Sequence, residues 1–141
     1  MHVEMDTFVE SRTRVRYKDT DQMGIAHHAN YLVWFEIGRT DLCRTTGLSY
    51  RDIERSGFVL VVTEIGCRFR TPFHYDDEVV IRTWVSDVAS RAIRFEYELR
   101  DGSEEPVRAS GFSNHIWLAR DTWRPVKADP EIVKLFLAMK Q

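Results

Sequence analysis

Apolar and polar residues change their spacing along the chain, and each change marks a new element. Residues 12 to 17 alternate, with Thr13, Val15 and Tyr17 on one side and Arg12, Arg14 and Arg16 on the other. A period of two is that of a strand with one covered face. Residues 18 to 29 have no period and carry Asp19, Asp21 and Gly24, so they read as a loop. From Asn30 the spacing becomes helical. Tyr31, Trp34, Phe35, Gly38 and Leu42 fall at i, i+3, i+4, i+7 and i+11, one stripe of a helix. Asn30 is the expected N-cap and Gly47 the expected stop. Gly38 costs such a helix about 1 kcal/mol relative to alanine. Its place on the apolar stripe points to close packing of helix on sheet.

Residues 49 to 56 suggest a short helical turn, after which the period returns to two. Val59, Val61, Thr63, Ile65, Cys67 and Phe69 would line one face of a long strand. A turn over residues 71 to 77 contains Pro72. Val79, Ile81, Thr83 and Val85 make the next strand, and residues 86 to 90 reverse the chain. Ile93, Phe95, Tyr97 and Leu99 then alternate with Arg94, Glu96, Glu98 and Arg100, a half-buried strand. Asp101-Gly102 is a hairpin signal. Residues 107 to 118 form a last long strand, and residues 132 to 139 a short helix. The order is strand, long helix, then four consecutive strands with short connections, which favour antiparallel neighbours. One apolar helix against one antiparallel sheet is a two-layer α+β architecture. A single helix cannot cover both faces of that sheet, so a face or an edge must meet water or another chain.

Composition narrows the picture. The chain has 141 residues, a common single-domain size, and no repeat or linker-like stretch divides it. One domain over 1–141 is expected, with its core at about 10–125 and a C-terminal helix at about 129–140. Eight Phe, five Tyr and four Trp provide ample surface to bury, which excludes disorder as the main state. The formal net charge of -2 gives no basic patch for nucleic acid. The longest apolar run, Phe58 to Val62, is far too short to span a membrane. The first residues, MHVEMDTFVESR, contain acidic groups and no apolar h-region, so a cytoplasmic protein is expected. Cys43 and Cys67 show no CxxC or Cys/His zinc spacing and read as buried thiols.

The candidate chemistry lies in the loop from Tyr17 to Tyr31. Two carboxylates, a glycine and the pair His27-His28 precede the main helix. A helix N-terminus offers unpaired N–H groups and a positive dipole end, which can polarise a carbonyl oxygen. A carboxylate nearby could serve as base or nucleophile. The combination suits attack on an acyl carbonyl. Other readings compete. Asp-x-Asp before glycine is also plain turn chemistry. Asp19, Asp21 and a histidine could hold a cation, although no HxH or ExxH spacing is present. His28 could cap the helix or pack in the core, and Glu36 could be a solvated helix carboxylate. No GxSxG, P-loop or GxGxxG occurs.

The stretch Asp19-Thr20-Asp21-x-x-Gly24-Ile25-x-x-His28-x-Asn30-Tyr31, followed by Phe35-Glu36 and Arg39, resembles the hotdog-fold acyl-CoA thioesterases. It is most similar to the 4-hydroxybenzoyl-CoA thioesterase branch and its YbgC-type bacterial relatives, over roughly residues 10 to 125. The resemblance implies a hotdog fold, with an antiparallel sheet wrapped around one long helix. It implies a hydrolase that cleaves acyl-CoA, or an acyl-carrier protein thioester, without metal or organic cofactor. By this likeness Asp21 is the nucleophile or general base, and the backbone N–H at His28 lies near the thioester oxygen. In the benzoyl-CoA enzymes the position of His28 is often tyrosine, and that of His27 is commonly aromatic. Gly24, Asn30 and Tyr31 would shape the substrate pocket, and Ser90 and Arg91 would lie near the CoA phosphates. The family pairs two chains edge to edge into one continuous sheet, with active sites at the interface, so a homodimer and a tetramer built from two dimers are implied. Alternatives outside this reading are a non-catalytic acyl or CoA-ester binding module, and a hotdog hydratase or dehydratase. The chain lacks the His-Phe-Pro-Gly type motif of the latter. A variant with its catalytic carboxylate on the helix would nominate Glu36.

Overall fold

The computed structural model describes residues 7–102 and 105–141. Five strands form one antiparallel sheet in the order β1-β3-β4-β5-β2. They are β1 (Val9–Arg14), β2 (Phe58–Phe69), β3 (Glu78–Val88), β4 (Ala92–Asp101) and β5 (Ala109–Ala119). The long helix α1 (Ala29–Thr45) lies on one face, with the short α2 (Tyr50–Arg55) after it and α3 (Pro130–Ala138) near the C-terminus. This is the expected α+β arrangement.

The helical stripe faces the sheet as its spacing demands. Tyr31, Trp34, Phe35 and Leu42 are all buried, Phe35 to 0% exposure. Across the interface stand Ile81, Phe95, Tyr97 and Leu99, the inward residues of β3 and β4. Each such side chain contributes about 1.5–3 kcal/mol by leaving water. The ring of Phe35 lies flat on Tyr97, with centroids 4.3 Å apart. Gly38 permits this closeness. A Cβ there would lie 2.8 Å from Ile81 Cγ2 and would also strike Thr83 Oγ1.

Several expectations need correction. The first strand runs over residues 9 to 14, not 12 to 17. Val15 is buried as the alternation predicts, but Tyr17 stands 80% exposed in a 3₁₀ turn over Tyr17–Asp19. The helix begins at Ala29 with His28 at the N-cap, so Asn30 is not the cap. The single face expected for the long strand is broken by a bulge between Val62 and Glu64. Phe58 and Leu60 pack inward before the bulge, and Ile65 and Cys67 after it. One extra residue reverses the side on which every later side chain falls. Cys67 is only half-buried, whereas Cys43 is fully buried as expected. The β4–β5 connection is longer than a two-residue hairpin, because Leu99 pairs with Ala109. Residues 103 and 104 of it lie outside the described residues. The last strand and the C-terminal helix are offset by only one or two residues, and Asp129 caps α3 by accepting from the Glu131 N–H.

The two edges of the sheet differ. β1 has six residues and is rich in charge, whereas β2 has twelve and pairs only with β5 within the chain. A long unpaired edge is a template for another strand.

Candidate active site

The loop between β1 and α1 is held from two directions. Ala26 N–H donates to the Phe73 carbonyl at 2.8 Å, and Val15 N–H to the Asp77 carbonyl at 3.0 Å. These bonds lash it to the β2–β3 connection. Within the loop, Asp19 is the organiser. Its carboxylate accepts from the Arg16 N–H at 2.8 Å and from the Arg16 guanidinium at 3.3 Å. Its carbonyl accepts from the His27 N–H and from Asn30 Nδ2, both at 2.8 Å. Burial alone would raise its pKa, but the backbone and side-chain bonds from Arg16 outweigh this and hold it below the usual carboxylate value. Asp19 is thus committed to structure, which removes it from the cation-binding alternative. Among the described residues no group of three or more His, Cys, Asp or Glu could hold a metal ion.

Asp21 takes the other role. Its Oδ1 accepts from the Met23 N–H at 2.9 Å, an Asx turn closed by Gly24 at φ 79°. The turn reading of Asp-x-Asp before glycine therefore holds for its second aspartate as local geometry. It also presents the Asp21 side chain to a cavity of about 280 Å³. The wall is mainly apolar and includes Met23, Ile25, His28, Tyr31 and Phe69, with Arg70. Tyr31 and Phe69 meet edge to face at 4.8 Å, and His28 and Phe69 at 6.4 Å. Among the described residues, the His28 backbone N–H donates to no protein group. The carboxylate-bearing Asp21 and His28, the residue at the helix N-terminus, therefore line one cavity. A helix N-terminus beside a carboxylate can polarise a carbonyl and supply a base.

The structure brings Asp21, His28 and Tyr31 together on this wall. Gly24 shapes the turn behind Asp21. Asn30 is turned away, its amide spent on the Asp19 carbonyl. Ser90 and Arg91 lie in the β3–β4 turn, whereas the cavity adjoins the start of β3. The 11 residues of β3 span roughly 35 Å, so the two positions are at opposite ends of the sheet. Glu36 faces outward on α1 beside Val33 and Ile37, away from the Asp21 cavity. Arg70, just past the end of β2, is a site residue the sequence does not reveal, whereas Phe69 is expected as an inward aromatic of its strand and pocket and stands 51% exposed on the cavity wall.

Residues 15–136 match the Thioesterase-like superfamily. The chain belongs to that family. Its match includes α3, whose Ile132 and Phe136 are buried in the core. The "Putative acyl-CoA thioesterase YneP" of Bacillus subtilis is 35% identical, over 90% of this chain and 88% of that protein. The acyl-acyl carrier protein thioesterase ATL3 of Arabidopsis thaliana is 27% identical, over 94% of this chain and 70% of ATL3. The solved DHNA-CoA thioesterase of Staphylococcus aureus superposes with a TM-score of 0.87 at 28% identity, over 93% of this chain and 89% of that one. The fold is the hotdog fold, and the protein is a member of a family of thioester hydrolases. No helix among the described residues is long and apolar enough to cross a membrane.

Proposed function

We propose that this thioesterase hydrolyses acyl-CoA thioesters to a free carboxylic acid and CoA. The observation that carries the proposal is the sharing of one mainly apolar cavity by Asp21 and His28, whose N–H at the start of α1 has no protein partner among the described residues. The helix N-terminus draws the carbonyl oxygen and stabilises the negative charge that builds on it. Asp21 either attacks the carbonyl carbon, giving an anhydride that water opens, or takes a proton from the attacking water. Both routes expel the CoA thiolate, which is then protonated. A thioester is already activated, so the reading requires no metal or organic cofactor. Gly24 and Tyr31 shape the pocket, and Asn30 supports it through Asp19.

The working unit in this reading is a homodimer joined through β2, with two dimers forming a tetramer in a cytoplasmic setting. Phe69, 51% exposed at the end of β2, lines the cavity and stands at the free edge. That favours a site completed by a neighbouring chain. Ser90 and Arg91 would then serve the CoA phosphates at a neighbour's pocket. Acyl-carrier protein thioesters are the other substrate class to test.

The test is release of free thiol from a panel of short, long and aromatic acyl-CoAs. Turnover by the wild type, lost in Asp21→Asn, supports the reading. Tight binding of CoA esters with no thiol released would replace it with a binding module. Retained turnover in Asp21→Asn but loss in Glu36→Gln would move the catalytic carboxylate onto the helix.

A further inference from the structure

Arginines near the cavity are mostly engaged. Arg14 donates to the Asp76 carbonyl at 2.6 Å, and Arg16 is bound to Asp19. Arg108 donates to the Pro72 carbonyl at 2.7 Å and lies 3.3 Å from Asp101 and 3.9 Å from Asp77. Arg70 differs from all of these. It lines the cavity, and among the described residues its guanidinium has no hydrogen-bond or carboxylate partner. Its backbone is well anchored. Arg70 N–H and Thr71 N–H both donate to the Arg108 carbonyl, at 2.9 and 3.1 Å. The side chain thus rises from a fixed rim rather than from a loose loop.

Two opposite charges therefore stand on the wall of one mainly apolar cavity without forming an ion pair. A direct Arg70–Asp21 bridge would occupy the very carboxylate that the reaction needs. Held apart, they define a direction, with the reacting carbonyl at Asp21 and an anion at Arg70. A guanidinium offers paired donors that match the oxygens of carboxylates and phosphates.

We propose that Arg70 is the anion-recognition residue of this cavity, selecting thioesters that bring a carboxylate or phosphate group to the rim. The inference rests on the hydrolase reading above and names the substrate feature that reading leaves open. The anion comes either from the acyl group or from the carrier.

Three substrates separate the sources: an acyl-CoA with a neutral acyl group, an acyl-CoA whose acyl group ends in a carboxylate, and the neutral acyl group on N-acetylcysteamine, which has no anion. Wild type, Arg70→Gln and Arg70→Lys are compared by kcat and KM at low and high salt. In Arg70→Gln, kcat/KM for anionic substrates should fall about tenfold or more relative to the anion-free thioester, through KM. Arg70→Lys should recover part of the loss, and high salt should erase it. A loss confined to the carboxylated acyl-CoA assigns the anion to the acyl group, and a loss shared by both CoA esters assigns it to the phosphates. Equal effects on all three thioesters, or none on any, overturn the proposal. If wild type cleaves no thioester, the hydrolase reading fails separately. Calorimetric binding of CoA and of glutarate then decides for Arg70, with weaker binding of either in Arg70→Gln upholding it and equal binding of both overturning it.

Discussion

Two groups of polar side chains meet helix α1, and they are built on opposite principles. At its N-terminus, Asp21, His28 and Arg70 line a cavity, and among the described residues neither the His28 N–H nor the Arg70 guanidinium has a protein partner. Eleven positions past His28, Arg39 is 8% exposed and bound on both sides. It donates from Nε to the Tyr50 hydroxyl and from Nη1 to the Tyr97 hydroxyl, both at 3.0 Å. Tyr97 bonds Ser113 at 2.5 Å, and Ser113 bonds His115 Nε2 at 2.8 Å. Groups committed to one another hold helix against sheet, and groups left uncommitted are available to a ligand. A motif residue is therefore not functional by its type alone: Arg39 and Asp21 belong to the same sequence signature and serve different ends.

The largest expected effect tests the uncommitted side. Asp21→Asn keeps an Oδ1 acceptor for the Met23 N–H, so the turn should persist. Turnover of acyl-CoA should fall by about 10³, roughly 4 kcal/mol of transition-state stabilisation, while the urea midpoint stays the same. A large drop in stability would show that Asp21 belongs with the committed group.

The next effect has the reverse signature. Arg39→Ala removes the donors to the buried Tyr97 and the partly buried Tyr50 and opens a void beside them. Stability should fall by about 3 kcal/mol, while turnover per folded molecule stays within a few-fold. Urea denaturation monitored by tryptophan fluorescence, with activity normalised to folded protein, reads both. Lost activity at unchanged stability would transfer Arg39 to the site.

The same buried chain predicts a pH response. His115 is 1% exposed, and burial, aided by the charge of Arg39, pulls its pKa down to about 3. An unfolded histidine titrates near 6.5. Below that pH the unfolded chain gains a proton that native His115 refuses. Stability is thus complete above about pH 6.5 and falls as pH drops toward 3, by at most about 1.4 kcal/mol per pH unit. Roughly 2–3 kcal/mol should be lost by pH 4.5. Asp19, with its lowered pKa, adds a loss of the same sign at more acid pH. His115→Gln should flatten the decline between pH 6.5 and 4.5. An unchanged decline would place its origin elsewhere.

These contrasts also explain what could be read from the sequence. The strands bearing Val79 to Val85 and Ile93 to Leu99 were legible because one covered face imposes a strict alternation. The α1 stripe was legible for the same reason at a different period. Tyr17 misled because the alternation continues past the end of β1 into a 3₁₀ turn. The β2 bulge misled because Thr63, the inserted residue, follows an apolar run, Phe58 to Val62, that has no period of its own to interrupt. Asn30 looked like a cap, yet its amide is taken by a carbonyl 11 residues back. Asp21, His28 and Tyr31 could be found because they follow one another at a loop-to-helix junction. Phe69 could be read only as an inward aromatic of its strand, and Arg70 not at all. They arrive from about 40 residues away, where the anchored end of β2 reaches the same cavity. Arg39 appeared in the motif, but its burial depends on tyrosines from α2 and β4.

The smallest expected effect probes the link between the two groups, because both sit on α1. Gly38 lies about 15 Å along the helix from His28 and next to Arg39. In Gly38→Ala, the gain in helix propensity is at most about 1 kcal/mol. Against it stands the contact of the new methyl with Ile81 and Thr83, whose β-branched side chains have few other rotamers. Overpacking of this kind costs about 1–3 kcal/mol, so the net change should be a loss of about 1 kcal/mol. The helix must also rise slightly from the sheet, carrying the His28 N–H with it. If α1 moves as a rigid rod, kcat should fall a few-fold while KM changes less, since the displaced donor acts on charge that builds during the reaction. Loss of stability with kcat intact would mean that the helix bends locally and that the Arg39 network and the cavity are mechanically independent.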